Sequence, residues 1–316
     1  MLDKLEALLH RLTACCTMQF RGNHKLETAL RVLREHDIKE IQGRGFHFQR
    51  NDFYSPLNDL LFLESNRDLW NKNDDPLDID WNVEGQLAVA KEISAFVDEL
   101  RDIPQSQRGR VVCYCWQNDF WNNADALVQY GIVRSRKPKK YVEVGCGWSS
   151  LLLHKALQKN GQACQVALIE PYPNHSIFNV LPKNWIHHEC ILQRAPMRLF
   201  QELEAGNVLF YDGSHCARVA SDVNHLFFEI LPRLKSGVLI HLHDIFLPNE
   251  YPEDWIFDRG QTWNEQYVLQ AFLMNNSSYR IVIANRYLYR RCASKLDDLY
   301  KGIQPSYGAS FWIEKL

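Results

Sequence analysis

Four times from residue 141 onward a short apolar run carries an acid at or next to its end and then turns. Tyr141-Val142-Glu143-Val144 enters Gly145-Cys146-Gly147, and Val166-Ala167-Leu168-Ile169-Glu170 stops at Pro171. Val208-Leu209-Phe210-Tyr211-Asp212 meets Gly213, and Gly237-Val238-Leu239-Ile240-His241-Leu242-His243-Asp244 completes the series. Helix-length segments separate these runs, at about Ser149–Lys159 and Ala217–Leu231, and Tyr279–Ala284 and Ala309–Ile313 read as two later strands. Strands alternating with helices build a mostly parallel sheet with helices on both faces, a Rossmann-like, doubly wound α/β fold. Ligands of such sheets bind beyond the carboxyl ends of the strands. Glu143, Glu170, Asp212 and Asp244 all fall at that edge, so the edge is the candidate site.

At about 150 residues per domain, 316 residues allow one large domain or two modest ones. Leu5, Leu8, Leu9 and Leu12 have helical spacing, Leu26, Leu30 and Leu33 make a second stripe, and a third helix is expected from Glu84 to Leu100, ended near Pro104. Phe46–Asp59 is irregular, with Phe53-Tyr54-Ser55-Pro56 as an ordered loop. The expected division is a helical N-terminal region or cap over 1–110 and a catalytic domain over 111–316. No repeat stands out, which disfavours solenoids and propellers.

Thirty-six basic against thirty-eight acidic side chains leave a formal charge of −2, too little to hold the protein on nucleic acid by a global field. The one basic run, Arg134, Arg136, Lys137, Lys139 and Lys140, precedes the first strand, so it is expected as a solvated turn at the opposite edge of the sheet. Nine cysteines without a CxxC pair read as reduced core thiols. No apolar run approaches the ~18 residues of a membrane span, and Met1-Leu2-Asp3-Lys4-Leu5-Glu6 lacks a signal-peptide layout. The expectation is a soluble, cytoplasmic protein without a membrane or nucleic-acid partner; a homo-oligomer stays open. Aromatic residues make up 12%, enough to line a pocket as well as fill a core.

The Glu143-Val144-Gly145-Cys146-Gly147-Trp148-Ser149-Ser150 segment joins a strand to a helix through a glycine turn. Glycine permits the turn and lets a ligand approach the backbone, and the helix N-terminus beyond offers free N–H groups. A GxG after a strand also occurs in dinucleotide enzymes and in plain turns. Glu143, two residues before Gly145, suits an ammonium group and would repel a pyrophosphate, and Trp148 crowds the phosphate position. Glu170 can accept hydrogen bonds from two vicinal ribose hydroxyls.

The ordered set EVGCGWSS, LIEP, LFYDGSH and GVLIHLHDI resembles the class I S-adenosylmethionine-dependent methyltransferases, most nearly the macrocin and rhamnosyl O-methyltransferase-like branch, over roughly residues 110–316. Ser149 stands where many of these enzymes carry a third glycine. The resemblance implies a seven-stranded sheet and S-adenosylmethionine as methyl donor. Glu143, Gly145 and Gly147 would hold its methionine moiety and Glu170 its ribose, with Asp212 near the sulfonium and the adenine near residues 187–194.

It also implies His215 as the base that takes a proton from a small-molecule acceptor, since imidazole titrates near neutrality. His241 and His243 share a strand face by period two, and Asp244 falls on the other until the strand ends. His243 and Asp244 are further catalytic candidates. Asp212 and Asp244 match two ligands of a divalent metal in related metal-using enzymes, although a His/Asp set suits iron, manganese or zinc better than magnesium. Downstream, Tyr251, Trp255 and Trp263 suggest an aromatic cover. Trp255, Trp263 and Glu265 are candidate acceptor contacts, beside Asn264 and Gln266; Tyr54 and Asn118 are weaker ones. Two alternatives remain: a metal-dependent hydroxylase on the same scaffold, and a non-catalytic subunit that keeps the fold.

Overall fold

The structure is a computed structural model that describes residues 31, 37–71, 75–107, 109 and 112–316. The leucine stripes expected at 5–12 and 26–33, and the Cys15-Cys16 pair, lie outside these residues. The chain forms two compact units, Met1–Asp59 and Leu60–Leu316.

In the first unit, a short helix over Ile38–Gly43 starts at Asp37, whose Oδ1 accepts from the Lys39 N–H at 2.8 Å. The FYSP segment is the ordered turn its sequence suggests. Asp52 Oδ1 accepts from the Tyr54 N–H, and the Phe53 and Tyr54 rings meet edge to face at 5.4 Å.

The second unit is built on a seven-stranded sheet. Helix α1 (Val83–Ile93) continues as a 3-10 turn over Ser94–Leu100, and α2 (Asn123–Arg136) leads into β1 (Lys140–Val144). Then follow α3 (Trp148–Asn160), β2 (Gln165–Ile169), β3 (Ile186–His188) and β4 (Val208–Tyr211). A short α4 (Asp222–His225), β5 (Leu239–Leu242), α5 (Glu265–Leu273), β6 (Tyr279–Ala284), α6 (Asn285–Tyr300) and β7 (Phe311–Lys315) complete it. The strand order is β3-β2-β1-β4-β5-β7-β6, with β7 antiparallel to both neighbours and every other pairing parallel.

The strands are apolar on both faces because helices cover both. Tyr141, Leu168, Val208, Phe210 and Leu239 pack into one core layer with α2 and α3. Val142, Val144, Ile169, Leu209, Tyr211 and Ile240 pack into the other with Leu226, Ile230 and Leu269. Successive strands run outward from β1 to β3 on one side and from β4 onward on the other, and this reversal of strand order between the parallel neighbours β1 and β4 opens a crevice at the carboxyl edge, where this topology places ligands.

One expectation needs correction, and one element was not anticipated. The helix expected from Ala217 begins at Asp222, where Ser221 Oγ accepts from the Asn224 N–H, and it continues as a π-helical stretch over Leu226–Ile230. Ala220 turns left-handed at φ 58°, which keeps 217–221 in an open loop. The sixteen-residue α6 has no counterpart in the sequence reading. Its buried Tyr287, Leu288, Leu296 and Tyr300 are separated by charged residues and by a kink at Cys292, which together blur the helical stripe.

The basic run occupies the last turn of α2 and the start of β1, at the amino edge. Arg134 pairs with Glu99, Arg136 with Glu92 and Lys140 with Glu202. No described helix is long and apolar enough to cross a membrane.

Candidate active site

Everything at the carboxyl edge is arranged around the turn after β1. Gly145 sits at φ 78°, and a Cβ there would lie 1.8 Å from the Asp212 carbonyl oxygen. Only glycine meets both demands, and the reward is that the turns after β1 and β4 touch. Gly147, which precedes α3, has no heavy atom within 4 Å of where its Cβ would be. The backbone there faces open space.

Two clefts meet at this turn. One, of about 520 Å³, is lined by residues including Gly145, Glu170, Tyr172, Ile191, Gln193 and Asp212. The other, of about 230 Å³, is lined by residues including Trp121, Gly145, Gly147, Trp148, Asn174 and Asp212. Gly145 and Asp212 border both. Glu170 is fixed at the first cleft by two backbone donors, Cys146 N–H to Oε2 at 3.1 Å and Tyr172 N–H to Oε1 at 2.8 Å. A carboxylate has about four acceptor positions, so lone pairs remain for a ligand.

Glu143 lies beneath the turn and is fully buried. Its Oε1 accepts from Ser149 at 2.6 Å and Ser150 at 2.8 Å, while Oε2 has no partner. Burial pushes its pKa up to about 7, against the pull of the two serine hydroxyls. Ser149, the departure from the glycine pattern, therefore has a role: it supplies one of the two hydrogen bonds to this carboxylate.

Next to Asp212 is a buried cluster of imidazoles and carboxylates. His215 Nε2 is 3.3 Å from Asp212 Oδ1 and 3.7 Å from Asp244 Oδ2, and its Nδ1 is 2.8 Å from Glu265 Oε2. His243 Nδ1 faces Asp212 at 3.5 Å and Asp244 at 3.7 Å, and its Nε2 faces Asp125 at 3.5 Å. His215 and Asp244 are both left-handed, at φ 57° and 56°. That conformation at Asp244 overrides strand alternation and swings its carboxylate to the face where His243 lies. Such strained backbone collects at functional sites.

Burial opposes charge on every member of the cluster, and pairing decides the outcome. Burial pulls His215 down, but Asp212 and Glu265 outweigh it and raise its pKa to about 10. His243 is likewise carried well above its usual value by Asp244, Asp212 and Asp125 despite burial. Burial would raise Asp212, yet His243 and His215 hold it well below the ordinary carboxylate range. Asp244 and Glu265 are pushed up by burial, only partly offset by the histidines.

One ligand atom each from Asp212, His215 and Asp244 falls within 4.8 Å of the others. Two carboxylate oxygens and an imidazole nitrogen suit manganese, iron or zinc better than magnesium. His215, not His243, is the histidine in this three-donor set.

The aromatic cover adjoins the cluster. Trp263 lies on the His215 ring at 4.1 Å, and Trp255 meets Trp263 at 5.1 Å. Glu265 is fully buried behind His215, so it orients the imidazole. Asn264 Oδ1 accepts from the Ala217 N–H, and Gln266 Oε1 from the Phe246 N–H; both brace loops. Asn118 is buried, holding the Trp121 N–H and the Cys115 carbonyl. Tyr54 is an exposed residue of the first unit. His241 stacks on Trp312 at 4.0 Å in the core, and burial pulls its pKa well below the usual value.

Sequence reasoning missed Asp125 and Trp121. Asp125 accepts from the Ala309 and Ser310 N–H groups and from Asn285, as well as facing His243. Burial raises it, but His243 and these donors bring its pKa down to about 2. Trp121 packs on His243 at 4.5 Å. An acid inside the apolar stretch Ala124–Leu127 was the available signal for Asp125.

Residues 142–245 match the family model of a methyltransferase domain. That segment takes in most of β1, all of β2, β3, β4 and β5, and every member of the cluster except Asp125 and Glu265. An uncharacterized protein of Archaeoglobus fulgidus is 30% identical over 135 residues, 41% of this chain. The chain spans 61% of that relative's length. Among solved structures, the SAH-bound methyltransferase PaMTH1 of Podospora anserina is similar at a TM-score of 0.39 and 12% identity, over 82% of this chain and 97% of the other. The plantazolicin methyltransferase BpumL in complex with SAH gives 0.37 and 12%, over 74% and 95%.

Proposed function

We propose that the protein is an S-adenosylmethionine-dependent methyltransferase acting on an oxygen or nitrogen of a small-molecule acceptor, with residues 111–316 as its catalytic part. One observation carries the reading: two clefts join at Gly145 and Asp212, directly beside a buried His/Asp cluster. The matched methyltransferase model spans the same strands. Bound there, S-adenosylmethionine supplies a methyl group on a positively charged sulfur.

The residues fit it. The smaller cleft takes the methionine end over the open backbone of Gly147, with the unpartnered Oε2 of Glu143 beneath the turn. Lone pairs of Glu170 take the ribose hydroxyls in the larger cleft, and Asp212 offsets positive charge where the clefts meet. His215 serves as base. Glu265 fixes its Nδ1, leaving Nε2 to accept the acceptor's proton. Alone, the carboxylates hold His215 protonated; a cation beside Asp212 draws on the same negative charge and lowers the proton affinity of Nε2. Positioning then does most of the work.

Asp212, His215 and Asp244 also fit a divalent metal, which would act as a Lewis acid on an acceptor oxygen. With iron in that set, one second reading is hydroxylation of a C–H bond on this scaffold, which would take O2 as oxidant and a two-electron reductant as co-reactant. A metal on Nε2 excludes the base role, so the two readings separate cleanly. Stoichiometric iron with oxygen-dependent turnover supports the hydroxylase. Conversion of S-adenosylmethionine to S-adenosylhomocysteine that persists in EDTA, and falls about 10²–10⁴-fold in His215→Gln, supports the base.

A further inference from the structure

Among the described residues two arginines are half-buried, Arg134 and Arg286. Their surroundings differ completely. Arg134 gives its guanidinium to both oxygens of Glu99 and to the Asn160 side chain. Arg286, in the first turn of α6, has no carboxylate in ion-pair contact among the described residues, and its Nε is buried without a hydrogen-bond partner. Its guanidinium lies over the face of Phe246, 5.4 Å from Cζ to the ring centroid. Asp125, whose charge reaches the guanidinium, is already committed to two backbone amides, Asn285 and His243. A guanidinium taken partly out of water without an acceptor is costly, and such a cost persists where a ligand removes it.

The position of Arg286 says which ligand. A run of rings leads from the reacting centre to its guanidinium: Trp263 on His215 at 4.1 Å, Trp255 on Trp263 at 5.1 Å, Phe246 on Trp255 at 5.3 Å, then Arg286 over Phe246. His215 closes one end of this apolar panel and an unpaired cation the other. We propose that Arg286 binds an anionic group of the acceptor, a carboxylate or a phosphate, whose flat or apolar body lies along the half-buried Trp263 and Trp255, while the buried Phe246 backs the guanidinium. The proposal rests on the methyltransferase reading for the word acceptor, and it narrows the substrate class to anionic molecules. Arg286 is a binding and specificity residue; it transfers no proton.

The test uses the full chain, loaded with S-adenosylhomocysteine and, in parallel, ligand-free. Benzoate probes carboxylate binding, inorganic phosphate probes phosphate binding, and benzamide is the neutral control, with affinities read from tryptophan fluorescence. Benzoate or phosphate is expected to bind about 10-fold or more tightly than benzamide, as a charge-assisted contact requires. Arg286→Gln abolishes that preference while S-adenosylhomocysteine affinity stays unchanged. Arg286→Lys keeps a reduced preference, because a point charge replaces a two-pronged donor. The tighter of the two anions identifies the group.

Equal affinity for anions and benzamide, or a preference that survives in Arg286→Gln, overturns the proposal. If Arg286→Gln does not fold, Arg286→Lys decides: anion affinity identical to wild type overturns it, and selective weakening supports it. Anion binding that depends on Arg286 in a protein unable to bind S-adenosylhomocysteine overturns the methyltransferase reading instead.

Discussion

Both edges of the sheet are rich in charge, yet they spend it differently. At the amino edge Arg136 has Glu92 and Lys140 has Glu202, each pair reaching solvent. At the carboxyl edge two histidines share Asp212 and Asp244, with Glu265 and Asp125 behind them, and most of the group is buried. One-to-one exposed pairs have little left to give a ligand. A buried set with shared carboxylates holds protons and charge that an arriving cation or acceptor redistributes. Charge density does not mark the site; unsettled buried charge does.

The largest break in this comparison comes from the turn that joins β1 to β4. Gly145→Ala must relieve both a left-handed backbone and a Cβ 1.8 Å from the Asp212 carbonyl oxygen. Several kcal/mol of stability and all ligand binding at the two clefts are expected to go, read by thermal unfolding and calorimetry. Asp125→Ala leaves His243 and the Ala309 and Ser310 amides without their acceptor, at a cost of about 3–5 kcal/mol in chemical denaturation. Its wild-type carboxylate, lowered to about 2, contributes stability above about pH 4 that is lost as pH falls towards 2, and the variant loses that dependence.

Glu143→Gln works in the other direction. A carboxyl raised to about 7 in the fold costs stability as pH rises from its unfolded value through 7. The amide is therefore expected to stabilise the protein by about 2–3 kcal/mol above pH 7 and to do little below pH 4. A melting temperature that falls equally at both pH values contradicts this. Smallest of all is Arg136→Gln at the amino edge, expected within about 0.5 kcal/mol of wild type, because an exposed pair is worth little.

The legible part of this molecule was its strand ends. Apolar runs closing on Glu170, Asp212 and Asp244 located the sheet and its carboxyl edge, because a fully buried strand leaves a continuous apolar trace in sequence. What sequence hid was partnership over long separations. Asp125 meets His243 and Glu265 meets His215 only because α2 and α5 are carried to the same edge, and no local pattern records that. Helix α6 escaped for a local reason, since charged residues and the kink at Cys292 interrupt its buried stripe. Arg286, in its first turn, escaped with it.

Calorimetric titration of the wild type and of Glu170→Ala with S-adenosylmethionine tests the account most directly. Glu170 is held ready by the Cys146 and Tyr172 amides and borders the larger cleft. The account predicts one site per chain in the wild type and an affinity lowered by about 10-fold or more in the variant, the cost of losing hydrogen bonds to a charged acceptor. No binding of S-adenosylmethionine or S-adenosylhomocysteine by the folded wild type, or equal binding by Glu170→Ala, would contradict it.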